Sequence, residues 1–474
     1  MKLETIIGLE VHIELRTKTK LFCSCPVKSD VSANTNICPI CLGHPGVLPV
    51  LNEEAIKKTL LLGLALNSEI GEISRFDRKN YFYPDLPKGY QISQFFLPLL
   101  KGGFLEIEND GKRKKIDLER IHLEEDAAKL LHGEKGESFV DFNRAGIPLI
   151  ELVTRPDLTS PEEAKAFLEI LHLVVQYLNV SEAEMQKGEM RCDANISLRP
   201  KGEKNFSAKT EIKNLNSFKA VEDALNYEIK RQTLLHEEGR PPKTNSTRGF
   251  DEKKKITVLQ REKEESHDYR YFPEPDLPIF EMKSLPFPLE EIKNSIKELP
   301  LAKKDRFIKT YDLLEEEAKI LTSDLALADF IEKIISEIKT ESEEDRRKFV
   351  KLATSWTINR LWPELVKPEN FAEFIILISQ NKISSASGQK VLEEMKKTGK
   401  KPSDIIKENK LEIIGDVEEI KTIAGKIILE NKKVVEDFKK GKENALQFLV
   451  GQVMKETKGR ADPKLVQEIL RNFL

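Results

Sequence analysis

The chain has 474 residues, more than one hydrophobic core usually serves, so we expect two or three domains. A net charge of −3 excludes a globally basic nucleic-acid binder but allows a local basic surface. Because no apolar run approaches the length of a membrane span and the first residues lack a secretory pattern, we expect a soluble, cytoplasmic protein without a membrane partner.

The composition changes along the chain. Up to about residue 290 it is rich in Gly, Pro, aromatic residues and short strand-like runs, whereas Lys, Glu, Leu and Ile with helical periodicity dominate from Pro286 onward. The polar stretch 396–402, with Gly399 and Pro402, is typical of a linker. We predict a mixed α+β domain at 1–290, an all-α helical domain at 291–400 and a small α-helical tail domain at 401–474.

The segment 8–14 alternates with a period of two, as a strand does. It sends Glu10, His12 and Glu14 to one face and apolar residues to the other. Carboxylates and an imidazole on one face suit a divalent cation. The alternative is a surface strand whose polar face only meets water.

Four cysteines follow in two close pairs, Cys23 with Cys25 and Cys38 with Cys41. This spacing is typical of a four-cysteine zinc site, and four thiolates favour a structural role over a catalytic one. We therefore predict a zinc knuckle at 23–41; the alternative is four free thiols. Cys192 stands alone and is predicted to be a small buried hydrophobe.

The segment 76–94 combines cations with aromatic side chains and stiffening prolines. Such a mixture suits a phosphate beside a base or sugar, although a rigid turn packed by its own aromatics is equally compatible. The candidate binding residues are Arg78, Lys79, Tyr81, Tyr83, Lys88 and Tyr90.

Three further strand-like segments carry polar side chains on one face. In 116–126 the alternation groups Arg120, His122, Glu124 and Asp126, with Glu125 on the other face; the alternative is a helix from Asp126 to Leu131. The other two segments present Glu151, and Glu189, Arg191, Asp193, Asn195 and Ser197; Lys213 follows. Together these strands predict a polar concavity on an antiparallel sheet. The chain has no GxxxxGK[ST] loop and no GxGxxG after a strand.

Eight segments of the chain carry motifs of a known family. They are Gly8–Glu14, Asp77–Asp85, Tyr90–Gln94, His122–Asp126, Arg191–Ser197, Lys213–Ser217, Tyr269–Pro275 and Phe448–Lys455. In these segments the chain resembles the B subunits of tRNA-dependent amidotransferases. The resemblance runs over nearly the whole chain. It implies a cradle similar to the glutamine synthetase and guanido kinase fold, followed by a helical domain and a tail that contacts tRNA.

The resemblance also implies an activity. Such an enzyme is a carbon–nitrogen ligase with glutamine as amido donor, converting Glu-tRNA(Gln), and in many organisms Asp-tRNA(Asn), to the amidated form. ATP phosphorylates the side-chain carboxylate, and ammonia then displaces phosphate. The ammonia comes from a glutaminase A subunit, and a small C subunit completes a heterotrimer.

Residue roles follow from the acidic strands together with the resemblance. Metal ligands expected for Mg²⁺ are Glu10, His12, Glu124, Glu125 and Asp193, with Glu151 as a weaker candidate. Lys79, Arg191 and Lys213 are expected at phosphate oxygens, and Tyr81, Tyr83 and Asn195 at the nucleotide or terminal adenosine. The expected catalytic set is Glu10, His12, Lys79, Glu125, Arg191 and Lys213, and Cys23, Cys25, Cys38 and Cys41 are expected to hold structural Zn²⁺.

The tail carries a basic helical module that we predict to contact tRNA phosphates. Its cations are Lys432, Lys433, Lys439, Lys440, Lys442, Lys455, Lys458 and Arg460. The alternative is a solvated face balanced by Glu430, Glu436 and Glu443. Two other functions compete: a non-catalytic zinc and tRNA scaffold that docks an amidase, and a stand-alone ligase acting on a free amino acid. The clustered carboxylates disfavour the scaffold.

Overall fold

The computed structural model describes residues 2–28, 31–133, 136–203, 205–263, 269–338, 342–361, 364, 366–413, 417–457 and 459–474. The chain divides into two compact units, Met1–Leu299 and Pro300–Leu474. The first unit combines a large sheet with helices and the second is helical, which confirms the predicted α+β class with a helical C-terminal region.

The first unit contains seventeen named strands and four α-helices among its described residues. The strands are β1 (Leu3–Glu14), β2 (Glu69–Ile70), β3 (Ile73–Ser74), β4 (Asp77–Asn80), β5 (Tyr90–Ser93), β6 (Leu100–Lys101), β7 (Phe104–Asn109), β8 (Lys112–Glu125), β9 (Lys129–His132), β10 (Ser138–Asp141), β11 (Pro148–Thr154), β12 (Met190–Pro200), β13 (Thr210–Leu215), β14 (Asn245–Asp251), β15 (Ile256–Lys263), β16 (Phe272–Pro273) and β17 (Phe280–Glu281). The helices are α1 (Glu53–Ala65), α2 (Pro161–Tyr177), α3 (Phe218–Glu237) and α4 (Leu289–Asn294).

Ten strands form the main sheet, in the order β15-β14-β13-β12-β1-β11-β8-β6-β2, with β7 also paired to β8. The sheet is mixed, because β13 and β14 run parallel while β1 has antiparallel neighbours on both sides. Parallel neighbours need a crossover, and α3 supplies it between β13 and β14.

The two faces of β1 differ in burial. Ile7, Leu9, Val11 and Ile13 are buried in the main core, whereas Gly8, Glu10, His12 and Glu14 are partly exposed. The apolar face packs in a core that includes residues of α1 and α2, such as Leu60 and Phe167. Because the apolar residues of β1 are buried, its polar side chains must face away from the core.

The segment after β8 is a strand and not a helix. The chain forms β9 at Lys129–His132 and pairs it with β10, so the alternative of a helix from Asp126 to Leu131 is wrong. A separate three-stranded sheet joins β4 to β5 and β16, which brings Phe272 and Pro273 against Arg78 and Asp77 of the segment 76–94.

The second unit contains eleven α-helices among its described residues. They are α5 (Pro300–Tyr311), α6 (Glu315–Thr322), α7 (Leu325–Ser336), α8 (Glu343–Trp356), α9 (Pro368–Ser379), α10 (Ser385–Thr398), α11 (Pro402–Asn409), α12 (Val417–Glu430), α13 (Lys432–Lys439), α14 (Glu443–Glu456) and α15 (Pro463–Phe473). They enclose two apolar cores, one from Phe307 to Leu411 and one from Ile420 to Leu470.

The stretch predicted as a linker is mostly structured. Helix α10 continues to Thr398, where Gly399 ends it with a φ of 67°, and α11 begins at Pro402. Ile405 and Ile406 pack in the same core as α10. The division at 290 and 400 stays a prediction, and among the described residues no helix is long and apolar enough to cross a membrane.

Candidate functional site

Five side chains from three neighbouring strands meet on the polar face of the main sheet. The register sets His12 of β1 opposite Glu151 of β11, and Glu151 opposite His122 of β8. Glu10 and Glu124 follow two residues away on their own strands, so they share this face. We call Glu10, His12, His122, Glu124 and Glu151 the carboxylate–imidazole cluster.

The distances within the cluster are short. His12 Nε2 lies 3.5 Å from Glu124 Oε1, 3.5 Å from Glu151 Oε2 and 3.8 Å from Glu10 Oε1. His122 Nε2 lies 3.8 Å from Glu151 Oε2 and 4.0 Å from Glu124 Oε2. The cluster contains two triads that share Glu151: Glu10–His12–Glu151 and His122–Glu124–Glu151. In each triad, one possible ligand atom from every residue lies within 4.8 Å of the other two.

The two histidines have opposite pKa shifts. Burial lowers the pKa of His12, but the hydrogen bond to Glu151 and the charge of Glu124 outweigh it and raise the pKa to about 9. Burial dominates at His122 and lowers its pKa to about 4. At neutral pH His12 is therefore protonated and charged, and His122 is neutral.

The carboxyl groups of the cluster also differ in the direction of their pKa shifts. Burial and the charge of Glu151 raise the pKa of Glu124 to about 7. Burial, together with Glu151, also raises the pKa of Glu10. Burial opposes ionisation of Glu151, but His122 and the hydrogen bond from His12 hold its pKa well below the ordinary range. Raised carboxyl pKa values are a sign of negative charges that lack full compensation.

This donor set fits a hard divalent cation. Carboxylate oxygens and imidazole nitrogens converge from rigid neighbouring strands, and a cation between them would relieve the mutual repulsion of the carboxylates. The buried Nδ1 of His122 has no hydrogen-bond partner among the described residues, so one polar atom of the group is left unsatisfied there. Neutral His122 can offer Nε2 as it stands, whereas His12 must first lose its proton.

The cluster opens into a cleft of about 920 Å³, a size typical of ligand sites. Lys79, Arg120 and Lys213 supply positive charge along its walls. Its aromatic lining residues are Phe95, Phe96, Tyr269 and Tyr271. Phe95 and Tyr271 stack with ring centroids 4.1 Å apart.

Lys79 is a half-buried cation whose charge interacts with the cluster. Burial lowers its pKa, but Glu124, Tyr271 and Glu151 outweigh that effect and raise it. The Lys79 Nζ lies 5.1 Å from the ring centroid of Tyr269. Its ammonium is thus held charged beside both the carboxylates and an aromatic ring.

Two predicted phosphate ligands form ion pairs with acids. Lys213 pairs with Asp193 and lies 3.2 Å from Glu211 Oε1. Arg191 Nη2 lies 2.9 Å from Asp126 Oδ2. Asp193 is opposite Glu10 across β1 and β12, but its carboxylate bonds to Lys213. Lys213, Arg191 and Asp193 flank the cluster on β12 and β13 and lie outside both triads.

Glu125 does not join the cluster. It has the opposite parity on β8, and its Oε2 accepts a hydrogen bond from Lys88 Nζ at 2.6 Å. The Ile92 backbone N–H donates to Glu125 Oε1 at 2.8 Å. The structure thus places Glu125 and Lys88 around a second, smaller cavity of about 120 Å³ that Cys23 and Cys41 also line.

The predicted nucleotide residues are dispersed. Tyr81 stands edge-on to Tyr269, with ring centroids 6.0 Å apart, and so adjoins the cleft. Tyr83 is 56% exposed, and Asn195 lines a neighbouring pocket beside Gly8 and Thr154. Only Tyr81 of these three lies against a cleft-lining ring.

Sequence reasoning left His122, Arg120 and Glu211 out of the expected site. Arg120 Nη2 donates to Glu151 Oε1 at 3.3 Å, and Glu211 accepts from Thr247 Oγ1 at 2.9 Å. The alternation of 116–126 already grouped Arg120 and His122 with Glu124, so a stricter reading of strand parity finds both.

The four cysteines of the predicted knuckle converge, with their Sγ atoms within 4.8 Å of one another. A hydrogen bond from the Cys23 thiol lowers the pKa of Cys41 to about 4, against the opposing effect of burial. Asn143 Oδ1 accepts from the backbone N–H groups of Thr35 and Asn36, which anchors the loop between the pairs. The donor set fits a tetrahedral zinc ion. Cys192 is buried in the main core, as predicted.

Comparison with known proteins identifies the family of the chain. The model of the GatB/GatE catalytic domain matches residues 5–285, and that of the GatB domain matches residues 329–474. The B subunit of the aspartyl/glutamyl-tRNA(Asn/Gln) amidotransferase of Carboxydothermus hydrogenoformans is 47% identical over 488 residues, covering 99% of this chain and 98% of the relative. The equivalent proteins of Caldanaerobacter subterraneus subsp. tengcongensis and Thermoanaerobacter pseudethanolicus are each 49% identical, with 100% of both chains covered. The chain therefore belongs to the GatB/GatE family, as the resemblance of its motifs predicted.

Proposed function

We propose that this chain activates the side-chain carboxylate of Glu-tRNA(Gln), Asp-tRNA(Asn) or both and completes its amidation. The names of its relatives support the substrate class. The observation that carries the proposal is the carboxylate–imidazole cluster on the floor of a cleft with cationic walls. That arrangement suits transfer between two anions, phosphate and carboxylate.

The proposed reaction has two steps. A side-chain carboxylate oxygen attacks the γ-phosphorus of ATP, the bond to the bridging oxygen breaks, and ADP leaves with an acyl phosphate formed. Ammonia then attacks the acyl carbon, the carbon–oxygen bond breaks, and inorganic phosphate leaves with one of the ammonia protons. The products are the amide, ADP and phosphate.

The residues of the chain would serve these steps by position and charge. Lys79 and Arg120 lie where they can meet phosphate oxygens, and Lys213 can do so by exchanging its carboxylate partners. The five residues of the carboxylate–imidazole cluster would hold Mg²⁺, which offsets phosphate charge when bound. Tyr81 and the Phe95–Tyr271 pair offer rings for a nucleobase.

The remaining expectations complete the proposal. Ammonia would come from glutamine through a glutaminase A subunit, with a small C subunit in a heterotrimer. The cysteine site would hold structural Zn²⁺, and the domain 401–474 would contact tRNA. Glu125 and Arg191 would act beside the cluster, since their side chains pair with Lys88 and Asp126.

The test is a reconstituted assay with the purified chain, its partner proteins, ATP, Mg²⁺ and one of three substrates: Glu-tRNA(Gln), Asp-tRNA(Asn) or free glutamate. We expect ADP release and amide formation with one or both aminoacyl-tRNAs and not with free glutamate, even when ammonium chloride replaces glutamine. Equal use of free glutamate would support a stand-alone ligase. Amide formation that persists when Glu10 and Glu151 are both changed to Gln would support a non-catalytic scaffold and overturn the proposal.

A further inference from the structure

Lys20 is a fully buried cation beside the cysteine site. Its side chain has no exposed surface, which is rare for lysine. Its Nζ donates to Phe142 O at 3.2 Å and to Cys41 Sγ at 3.6 Å. Within the described parts of the chain, these are its hydrogen-bond partners and neither is a carboxylate.

A buried ammonium requires compensating negative charge. Removing a cation from water costs several kcal/mol unless an anion and hydrogen bonds replace its hydration. A carbonyl supplies a dipole but no charge, so of the two hydrogen-bond partners of Lys20 Nζ only the Cys41 sulfur can be an anion. Four thiolates around Zn²⁺ carry a net charge of −2, and one ammonium halves it.

Lys20 also connects the two cysteine pairs. Its backbone N–H donates to Cys25 O at 3.0 Å, while its side chain reaches Cys41 of the second pair. Cys41 Sγ accepts a further bond from the Cys38 backbone N–H at 3.2 Å. Gly146, which has a φ of 86°, lies beside the Lys20 side chain: a Cβ added to it would be 3.5 Å from Lys20 Cδ.

We propose that Lys20 is a positioning residue for the cysteine site, whose ammonium donates to the Cys41 thiolate and offsets the negative charge of the zinc-bound cysteines. It thereby slows the loss of zinc. This inference rests on the proposed zinc site and is independent of the proposed catalysis.

The test compares zinc release from the full-length Lys20→Met variant and the parent chain, using the chromogenic chelator 4-(2-pyridylazo)resorcinol. Loss of a partner of a metal ligand usually weakens metal affinity by about 10- to 100-fold, so we expect release at least about tenfold faster. Lys18→Met is the matched control, because Lys18 is exposed and lies two residues away; its release should equal that of the parent. If Lys20→Met fails to fold, Lys20→Gln carries the same test.

A second comparison separates the effect of the Lys20 charge on Cys41 from a general destabilisation of the cysteine loop. In a Cys41→Ala background, the Lys20→Met change should leave zinc release nearly unaltered, because the sulfur atom that accepts from Lys20 is gone. With Co²⁺ in place of zinc, Lys20→Met should move the thiolate-to-metal charge-transfer band to lower energy, since an unbonded thiolate is the better electron donor.

Three outcomes would overturn the inference. They are parent-like zinc release by folded Lys20→Met, an equal acceleration in the Cys41→Ala background, and an unchanged Co²⁺ spectrum. A parent chain that binds no zinc would refute the zinc site itself along with the inference. None of these results bears on amide formation, which the reconstituted assay tests separately.

Discussion

His12 and His122 show how strand neighbours decide the chemistry of one residue type. Both imidazoles are surrounded by protein and contact Glu124 and Glu151. His12 also has Glu10 within 3.8 Å, whereas Arg120 and Lys79 add positive charge at His122. Burial therefore dominates at His122 and keeps that ring neutral near pH 7, whereas the nearby carboxylates outweigh burial at His12 and keep it protonated.

Glu151 is the residue that both triads share, so its replacement should have the largest effect in the cluster. We expect Glu151→Gln to lower ATP-dependent amide formation by about a hundredfold or more, because a neutral amide cannot balance His12 or hold a cation. Single-turnover ADP release measures it. Glu169→Gln, an exposed change in α2, should retain parent activity. Parent-like turnover by Glu151→Gln would refute its role.

The raised pKa values predict how stability depends on pH. His12 binds its proton up to about pH 9 in the folded chain, against 6.5 ordinarily, so its stabilisation is full below 6.5 and lost as pH rises through 9. The contribution of Glu124 to stability also falls as pH rises, since its pKa is raised from 4.5 to about 7. His12 therefore contributes a decline of the metal-free melting temperature between pH 6.5 and pH 9, whereas the lowered pKa values of His122 and Cys41 contribute changes of the opposite sign.

The His12→Gln variant should lose the part of this decline between pH 6.5 and 9. His132→Gln, an exposed histidine on β9, should keep it. Differential scanning fluorimetry at low ionic strength measures both variants. An identical decline in the two variants would show that His12 does not carry the linkage.

At the scale of elements, Asn52 joins the cysteine loop to α1. Its Oδ1 accepts from the backbone N–H of Glu54 at 2.9 Å, which caps the helix. Its Nδ2 donates to Thr19 O at 3.1 Å and to Lys20 O at 3.2 Å. One side chain thus fixes both the helix start and the segment that leads into the knuckle.

We expect Asn52→Ala to lower the free energy of unfolding by about 2 kcal/mol, because it removes the cap and the amide that donates to the carbonyls of Thr19 and Lys20. Asn52→Asp keeps the cap but loses the amide donors. The decrease in the free energy of unfolding should therefore differ from that of Asn52→Ala, and zinc release should rise in this variant as well. Urea unfolding of the full-length chain gives the energies. A loss below about 0.5 kcal/mol for Asn52→Ala would contradict the joint role.

At the scale of the whole molecule, the helical unit has two cores that separate near residue 413. Ile405, Ile406 and Leu411 complete the core of α5 to α11, and the second core begins at Ile420. The basic residues of the predicted tRNA-contacting module belong to α13, α14 and the turns that follow them, with Lys458 outside the described residues.

Removal of residues 417–474 should therefore weaken tRNA binding without unfolding the rest of the chain. We expect at least a tenfold loss of affinity and a smaller salt dependence, because phosphate contacts release counterions. Glutaminase activity of the assembled complex should be unchanged. A cut at 400 should additionally destabilise the helical unit, since it exposes the core residues that α11 covers. Unchanged tRNA affinity after removal of 417–474 would refute the tail assignment.

The sequence by itself determined the α+β class, the acidic strands and the cysteine site, because strand alternation and cysteine spacing are local properties. Strand parity separates Glu125 from Glu124, although the run of acidic residues and the family resemblance together predict both as metal ligands. The pairing register of strands and the identity of their neighbours depend on residues that are far apart in the sequence. Only the tertiary structure could therefore bring Glu151 and His122 to His12, pair Glu125 with Lys88, and bury Lys20 against Cys41.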